Sequence, residues 1–308
     1  MKNETRSFYE AAVRRAVERI VEALDEALDL AGLARTAALS PLHFHRVFRG
    51  MMGETPLELH RRLRLERAAD ELMNGDATIT RIAFGAGYET HESFTRAFGE
   101  HYGTSPSAFR QHAHETLSSC GRLPQLELAA RSGLHFEPGP RAELVFTISK
   151  GGSTMQVELK DRPETRLAAV RHVGPYARIA EAFERLGGIA AREGLFGRPG
   201  TEMIALYHDD PENTPVDELR SDAAITVPAG VELPSEVAEI RLPAGRYACS
   251  TYVGPYTGLG DAWAQFMGEW LPASGHRVGK GPSFEIYRNT PANAPAEKLR
   301  TELYLPLA

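Results

Sequence analysis

Cysteine is almost absent from this 308-residue sequence, which has only two, Cys120 and Cys249. Two cysteines so far apart cannot form the disulfide framework of a small secreted protein, and they are typical of a reducing compartment. Long apolar runs are also missing, because no segment approaches the roughly 18 residues that a membrane-spanning helix needs. The polar stretch 1–10 has no apolar segment like that of a signal peptide. We therefore expect a cytoplasmic protein.

A strong charge of either sign is missing as well. The net charge is −6, with 25% charged and 42% hydrophobic residues, which is ordinary for a globular protein. Residues 1–112 hold 15 Lys/Arg and 16 Asp/Glu. DNA binding by this half must therefore rely on a local patch, such as Arg61, Arg62, Arg64 and Arg67. Phosphate-binding glycine loops and metal-ligand spacings are not found, so we expect neither a cofactor nor a metal.

Two stretches in the first third of the chain share one pattern. In each, a short apolar segment and a turn precede a helix that begins after a capping residue, Ser40 or Thr90. A Phe-x-Arg-x-Phe sequence follows at 44–48 and at 94–98, with both Phe side chains on one helix face. Such a helix leaves His, Arg and Thr free to enter a DNA major groove. The pattern predicts two helix-turn-helix units in series, joined by one long helix.

Residues 62–110 resemble the DNA-binding domain of the AraC/XylS family of transcription regulators. The resemblance rests on Leu-Glu-Arg-Ala at 65–68, Ile-Ala-x-x-x-Gly-Tyr at 82–88 and the closing Gly-x-x-Pro at 103–106. It implies that one chain presents two recognition helices to double-stranded DNA. By position, the residues facing bases would be Leu42, His45 and Arg46 from the first helix, and His91, Glu92, Thr95 and Arg96 from the second. The alternative is a helical bundle with a solvated arginine face and no nucleic-acid role.

The segments beside these units are less regular. Apolar residues at three- and four-residue steps predict a leading helix over residues 6–31, packed on the first unit. After residue 112, scattered Pro and Gly predict a linker, with one added strand over 142–149. The predicted boundaries are therefore 6–112 for the DNA-binding domain, 113–153 for the linker and 154–308 for a second domain.

The second half of the chain is itself a repeat. Val-Gly-Pro-Tyr occurs at 173–176 and again at 253–256, and each copy has the order strand, strand, helix, strand, strand. Two such units joined along their sheets would form an α+β domain with pseudo-twofold symmetry and a cleft between its two helices. The fold class is thus multidomain, with an all-α tandem helix-turn-helix domain followed by this α+β domain.

This half resembles the GyrI-like (SHS2-repeat) effector-binding domains of multidrug-sensing regulators. The Val-Gly-Pro-Tyr copies, Asp-Asp-Pro at 209–211 and the Leu-Arg-x-Asp/Glu motifs at 219–222 and 299–302 carry the resemblance. It implies a small-molecule effector that binds in an aromatic pocket and pairs with a glutamate. Glu285 is the candidate, because the second repeat has it where the first has Ala205. A carboxylate between Phe284 and Ile286 would be costly to bury without a partner.

The predicted pocket also includes Tyr176, Tyr256 and Trp263, which with Glu285 would suit a lipophilic cation. Each residue has a plainer alternative. Glu285 would be an exposed strand residue or a partner of Arg288, Trp263 would be core, and the tyrosines would close the ends of the sheet.

Together these patterns predict a non-enzymatic transcription regulator that binds a promoter and a small molecule. Its ligand would alter promoter binding or contact with RNA polymerase, with the direction of that coupling left open. Two other functions are considered. One is a xenobiotic hydrolase in which Glu285 and Tyr256 polarise a water. The other is a protein-binding module.

Overall fold

The computed structural model describes residues 2–120, 132, 134–136, 155–195 and 200–308, without the side chains of 116–120. The strand predicted at 142–149 and most of the predicted linker lie outside the described residues. Among the described helices, none is long and apolar enough to cross a membrane.

The first 120 residues form seven helices: α1 Lys2–Glu22, α2 Leu30–Thr36, α3 Pro41–Met52, α4 Pro56–Asn74, α5 Ile79–Gly85, α6 His91–Tyr102 and α7 Pro106–Cys120. The predicted caps are confirmed, since Ser40 accepts from His43 N and Thr90 accepts from Ser93 N. α7 continues past the predicted boundary at residue 112.

The leading helix is shorter than predicted. α1 ends at Glu22, and Asp29 caps the next helix by accepting a hydrogen bond from Gly32 N. A capping residue has a non-helical backbone, so one continuous helix cannot run through residue 29 to residue 31. The periodic apolar residues of 6–31 are therefore divided between α1 and the segment that follows it, and do not form one helix.

The two helix-turn-helix units have different cores. The second unit packs α4, α5 and α6 around Leu65, Ile82, Phe94 and Phe98. The first unit shares a core with the second half of the chain, in which Phe48 and Met51 of α3 join Trp263 and Leu303. α4 belongs to both cores. The first unit is thus docked on the second half of the chain, whereas the second unit is folded around its own apolar residues.

The second half forms one antiparallel sheet of eight strands within the described residues. The strands are β1 Val157–Arg162, β2 Thr165–Val173, β3 Met203–Tyr207, β4 Arg220–Thr226, β5 Ala238–Leu242, β6 Gly245–Val253, β7 Phe284–Tyr287 and β8 Arg300–Pro306. Their order across the sheet is β1-β6-β8-β7-β3-β4-β2-β5. The equivalent strands of the two repeats are β1 and β5, β2 and β6, β3 and β7, and β4 and β8. If each strand is replaced by its equivalent, the same order is obtained from the opposite edge of the sheet, which confirms the predicted pseudo-twofold α+β domain.

The repeats also exchange their first strands. β1 pairs with β6 of the second repeat, and β5 pairs with β2 of the first repeat. The two halves meet at β3 and β7, which are equivalent strands and pair with each other. Because each repeat completes the other's sheet, neither can form its full sheet alone.

The two repeat helices cover one face of the sheet. α8 (Ala180–Arg192) packs on β2 and β4, and α9 (Leu259–Gln265) belongs to the core shared with the first helix-turn-helix unit. A π-helical turn at Phe266–Trp270 joins α9 to α10, Leu271–Ser274. On the opposite face the sheet buries its own aromatic cluster, which includes Tyr247, Phe284 and Tyr304.

Candidate functional site

Glu285 lies at the centre of the sheet, directly opposite Ala205. It is only 2% exposed, and burial raises the pKa of its carboxyl group. Trp263 Nε1 donates to Oε1 at 2.7 Å, and the Tyr287 hydroxyl donates to Oε2 at 2.7 Å. Both donors favour the ionised carboxylate.

Both alternatives for Glu285, an exposed strand residue and a partner of Arg288, are wrong. The Arg288 guanidinium instead binds Glu302 at 2.7 Å and Glu202 at 3.1 Å. Glu302 lies opposite Ile286, whose side chain points to the other face of the sheet from that of Glu285, so Arg288 is paired on the face away from Glu285.

Tyrosines surround the carboxylate. The hydroxyls of Tyr207 and Tyr287 are 3.0 Å apart, and the Tyr287 ring lies 5.2 Å from that of Tyr256. Tyr176 reaches the group through Tyr207, with ring centroids 4.8 Å apart. The structure thus brings all four predicted ligand-binding residues to one site. Sequence reasoning missed Tyr207 and Tyr287, although two-residue spacing from positions 205 and 285 places them on the same face.

Tyr176 and Tyr256 also anchor equivalent turns. The Tyr176 hydroxyl donates to Asp209 O at 2.7 Å, and the Tyr256 hydroxyl donates to Asn289 O at 3.4 Å. Each bond ties a Gly-Pro-Tyr turn to the loop that follows β3 or β7. These two tyrosines therefore combine a structural role with a place at the edge of the aromatic group.

Trp263 is both a core residue and a wall of the site. It is 2% exposed and stacks on Phe266 with ring centroids 5.8 Å apart. Its indole N–H is used by Glu285, which leaves the ring face for other contacts. A cation over that face is attracted by the ring quadrupole.

Arg46 of the first recognition helix occupies that position. Its guanidinium carbon lies 4.0 Å from the centre of the Trp263 ring, and Nη1 donates to Ser283 Oγ at 2.9 Å. The side chain is buried, and burial lowers the pKa of Arg46 to about 10. The nearby charge of Glu285 opposes this shift, so Arg46 remains a cation at neutral pH.

Two further contacts hold α3 against the second half of the chain. Arg49 binds Asp261 at 2.6 Å, and Gly50 lies against the backbone of Ala264 and Gly268. A methyl group at Gly50 or Gly268 would overlap backbone atoms of the facing helix. The two glycines therefore set the closest approach between α3 and the π-helical turn.

A cavity of about 400 Å³ adjoins the Arg46 site. Its lining includes Leu42 and His43 from α3, and Tyr207, His208 and Ser283 from the second half. Tyr207 and Ser283 contact both the cavity and the Arg46 surroundings. The cavity therefore borders the group around Glu285 through these two residues.

The predicted DNA-facing residues fall into two environments. On α3, Leu42 is 8% exposed, and His45 and Arg46 are each 9% exposed. On α6, His91, Glu92 and Arg96 are exposed and Thr95 is half-buried. In this arrangement a duplex can reach the α6 set but not the α3 set. Base contact by either set remains a prediction.

Two of the four arginines of the basic patch predicted on α4 are paired internally. Arg62 binds Glu54 at 2.7 Å and Glu66 at 2.6 Å, and Arg67 binds Asp25 at 2.6 Å. These arginines hold α4 to its neighbours, so they are less available for phosphate contacts than the sequence suggested. No group of His, Cys, Asp and Glu suited to a metal ion is found within the described ranges.

This architecture defines a class of protein, a DNA-binding module combined with a small-molecule-binding domain. Residues 155–308 match the family described as "GyrI-like small molecule binding domain", and residues 33–112 match a family described as "Helix-turn-helix domain". The chain belongs to the GyrI-like family and has an AraC-type helix-turn-helix domain before the family's domain.

Curated relatives match the second half. The "DNA gyrase inhibitor" of Erwinia billingiae (strain Eb661) is 32% identical over 158 residues, which are 50% of this chain and 98% of the relative. That of Edwardsiella ictaluri (strain 93-146) is 37% identical over 139 residues, 43% of this chain and 86% of the relative.

Similar solved structures include the EcmrR–DNA complex, at 20% identity and a TM-score of 0.44 over 49% of this chain and 57% of that chain. SAV2435 bound to tetraphenylphosphonium is 15% identical, with a TM-score of 0.38 over 50% of this chain and 94% of that chain. With these TM-scores, both likenesses are too distant to bear on the function of this chain.

Proposed function

We propose that this protein is a cytoplasmic transcription regulator whose effector is a lipophilic organic cation bound at Glu285. The observation that carries the proposal is the buried carboxylate of Glu285, surrounded by the rings of Trp263, Tyr207 and Tyr287. Aromatic faces attract a delocalised cation, and a desolvated carboxylate supplies the matching charge. A neutral ligand would leave that carboxylate without a counter-charge once Arg46 has moved.

Binding suits this site better than hydrolysis. Both oxygens of Glu285 already accept hydrogen bonds, and the Tyr256 hydroxyl donates to Asn289 O. A general base must lie within hydrogen-bond reach of the attacking water, and Glu285 is only 2% exposed. A water could reach its carboxylate only after Arg46 or one of the aromatic side chains had moved.

The DNA-facing part of the proposal rests on α6. Its outer residues are exposed while Phe94 and Phe98 are buried, as expected for a helix that enters a major groove. We propose that the regulator binds promoter DNA through α6 and, in its fully bound form, also through α3. Contact with RNA polymerase would follow from binding beside it on the promoter.

Ligand titration of the full-length protein tests the effector class. Tetraphenylphosphonium is the cationic probe and triphenylphosphine oxide is the neutral one, with tryptophan fluorescence as the readout. We expect the wild type to bind the cation. Glu285→Gln should lower the affinity for the cation tenfold or more, because the substitution removes the buried charge. Glu239→Gln is the matched control, since it removes the same charge from an exposed position on β5.

The proposal is wrong if tetraphenylphosphonium binds neither the wild type nor a variant in which Arg46 is removed. It is also wrong if the neutral probe binds as tightly as the cation in the wild type and in Glu285→Gln.

A further inference from the structure

We infer that Arg46 is a tethered competitor of the effector, so that a ligand at Glu285 releases the first recognition helix for DNA binding. The inference rests on the proposed function and deepens it by giving the direction of the coupling: the cation raises the affinity for DNA. It follows from the surroundings of Arg46, from the packing of α3 on the second half of the chain, and from the different exposure of the DNA-facing residues on α3 and α6.

The first step is chemical. Arg46 brings a flat, delocalised cation to the face of Trp263, within the field of Glu285. An arginine is rarely buried unless its charge is compensated, and this one obtains that compensation from the same ring and carboxylate that a cationic ligand would use. The guanidinium and a ligand cation cannot occupy the Trp263 face together, so the two bind in competition.

The second step concerns DNA. The three α3 residues that would face bases all lie against the second half of the chain. Leu42 shares a cavity wall with its residues, His45 Nε2 lies 3.7 Å from Glu212 Oε2, and Arg46 donates a hydrogen bond to Ser283. A helix cannot fill the Trp263 site and a major groove at once. In the docked state the protein therefore presents only α6 to a duplex, and its affinity for DNA is lower than with both helices free.

The third step concerns the contact that must open. α1 packs against α10, and α3 packs against α9 and the π-helical turn, so both contacts must open. α2 packs against both α1 and α3, so the three helices would leave the second half together. The second helix-turn-helix unit has its own core and does not depend on this contact. The ligand's binding free energy must exceed the cost of separating this unit, because a ligand shifts a conformational equilibrium only through its differential affinity.

The cavity beside Arg46 favours a ligand larger than a guanidinium. Leu42 and His43 of α3 form one side of it, and Tyr207 and Ser283 form the other. A bulky cation that enters this space and advances towards Glu285 would separate α3 from the sheet. Small cations could replace the charge of Arg46 without filling the space that α3 leaves.

Gly268 offers a way to open the contact without altering the DNA-facing residues or Glu285. A methyl group there would overlap Gly50 and the amide nitrogen of Met51, which are backbone atoms that cannot move aside easily. Gly188, at the equivalent position in the first repeat, has no atom within 4 Å of an added methyl group. Gly268→Ala and Gly188→Ala are therefore a matched pair of test and control.

The experiment measures two affinities in the full-length protein. One is for tetraphenylphosphonium; the other is for a fluorescent duplex selected from a random-sequence pool, with and without that cation. We expect the cation to raise the DNA affinity of the wild type tenfold or more. Gly268→Ala should already have the higher DNA affinity without the cation, and Gly188→Ala should behave like the wild type.

Arg46→Ala tests the competition directly. Removing the tethered cation should tighten tetraphenylphosphonium binding at least tenfold, whereas Glu285→Gln should weaken it. Asp261→Asn, which breaks only the exposed contact with Arg49, should raise the DNA affinity without the cation as Gly268→Ala does, but by less. This surface variant provides the test if Gly268→Ala does not fold, as judged by circular dichroism.

The outcomes separate the two proposals. If Glu285→Gln loses the cation but Arg46→Ala binds it no tighter than the wild type, the effector class stands and the tethered competitor is wrong. If no variant binds the cation, the proposed effector class is wrong. In that case the tethered competitor is overturned as well, because it requires a cation that binds at Glu285.

Discussion

Ala205 and Glu285 lie directly opposite each other in the central strand pair, although they are equivalent positions of the two repeats. The pseudo-twofold axis therefore passes between a methyl group and a carboxylate. Tyr207 and Tyr287 are equivalent as well, and their hydroxyls meet at 3.0 Å. Of the equivalent positions 205 and 285 in the repeats, only one thus carries a buried charge, which avoids the repulsion that two facing carboxylates would create.

Trp263→Phe should destabilise the protein by about 1–3 kcal/mol at pH 7. Phenylalanine retains most of the apolar area but removes the N–H that Glu285 Oε1 accepts, and a buried acceptor without a donor is costly. Urea unfolding gives the free energy, with Trp270→Phe as the control. In a Glu285→Gln background the cost should shrink, because the orphaned charge is gone; an equal cost in both backgrounds would show that the bond to Glu285 is not the cause.

Ala38→Gly should raise the free energy of unfolding by up to about 1 kcal/mol. Ala38 has φ +56°, in the left-handed region, at the turn between α2 and α3. The second unit has Gly87 at the corresponding place, with φ +77°. Gly87→Ala should destabilise, because a φ of +77° is strained for a residue with a Cβ, and the added methyl group must also displace the Arg64 guanidinium. Thermal unfolding of both variants checks the pair, and a loss of stability in Ala38→Gly would contradict the strain argument.

Asp210→Asn should stabilise the protein at pH 7 and have little effect at pH 4. Burial raises the pKa of Asp210 from 3.8 to about 6, so the folded state binds more protons than the unfolded state between those values. Stability therefore falls as pH rises through this window, by about 1–3 kcal/mol in total.

Asparagine removes the buried charge but can still accept the hydrogen bond from Glu212 N. Unfolding at a series of pH values measures the difference, and a gain that is the same at pH 4 and pH 7 would point to another cause.

Arg96→Ala should weaken ligand-free DNA binding by about 1–3 kcal/mol if Arg96 contacts a base. Arg46→Ala should not weaken ligand-free binding, because Arg46 is buried against Trp263 in that state. With saturating tetraphenylphosphonium, both substitutions should weaken binding to the selected duplex. An equal loss for Arg96→Ala on random DNA would instead make Arg96 a phosphate contact.

Much of the local structure could be predicted from residue patterns. Ser40 and Thr90 cap their helices through neighbours a few positions away, so their signals are readable in sequence. The repeat in the second half is equally visible, and comparing its two copies singled out Glu285. These features depend on short-range geometry or on internal likeness, and neither requires knowledge of how distant segments meet.

The exchange of β1 and β5 and the burial of Arg46 depended on tertiary structure. A strand can pair with either of two similar edges, and its own residues do not say which edge is nearer. Likewise, a helix face with Leu42, His45 and Arg46 has the same spacing whether it contacts a duplex or Trp263. The sequence by itself determined that α3 has two distinct faces; the long-range packing of α3 on α9 decided what the second face binds, because only that packing brings Arg46 next to Glu285.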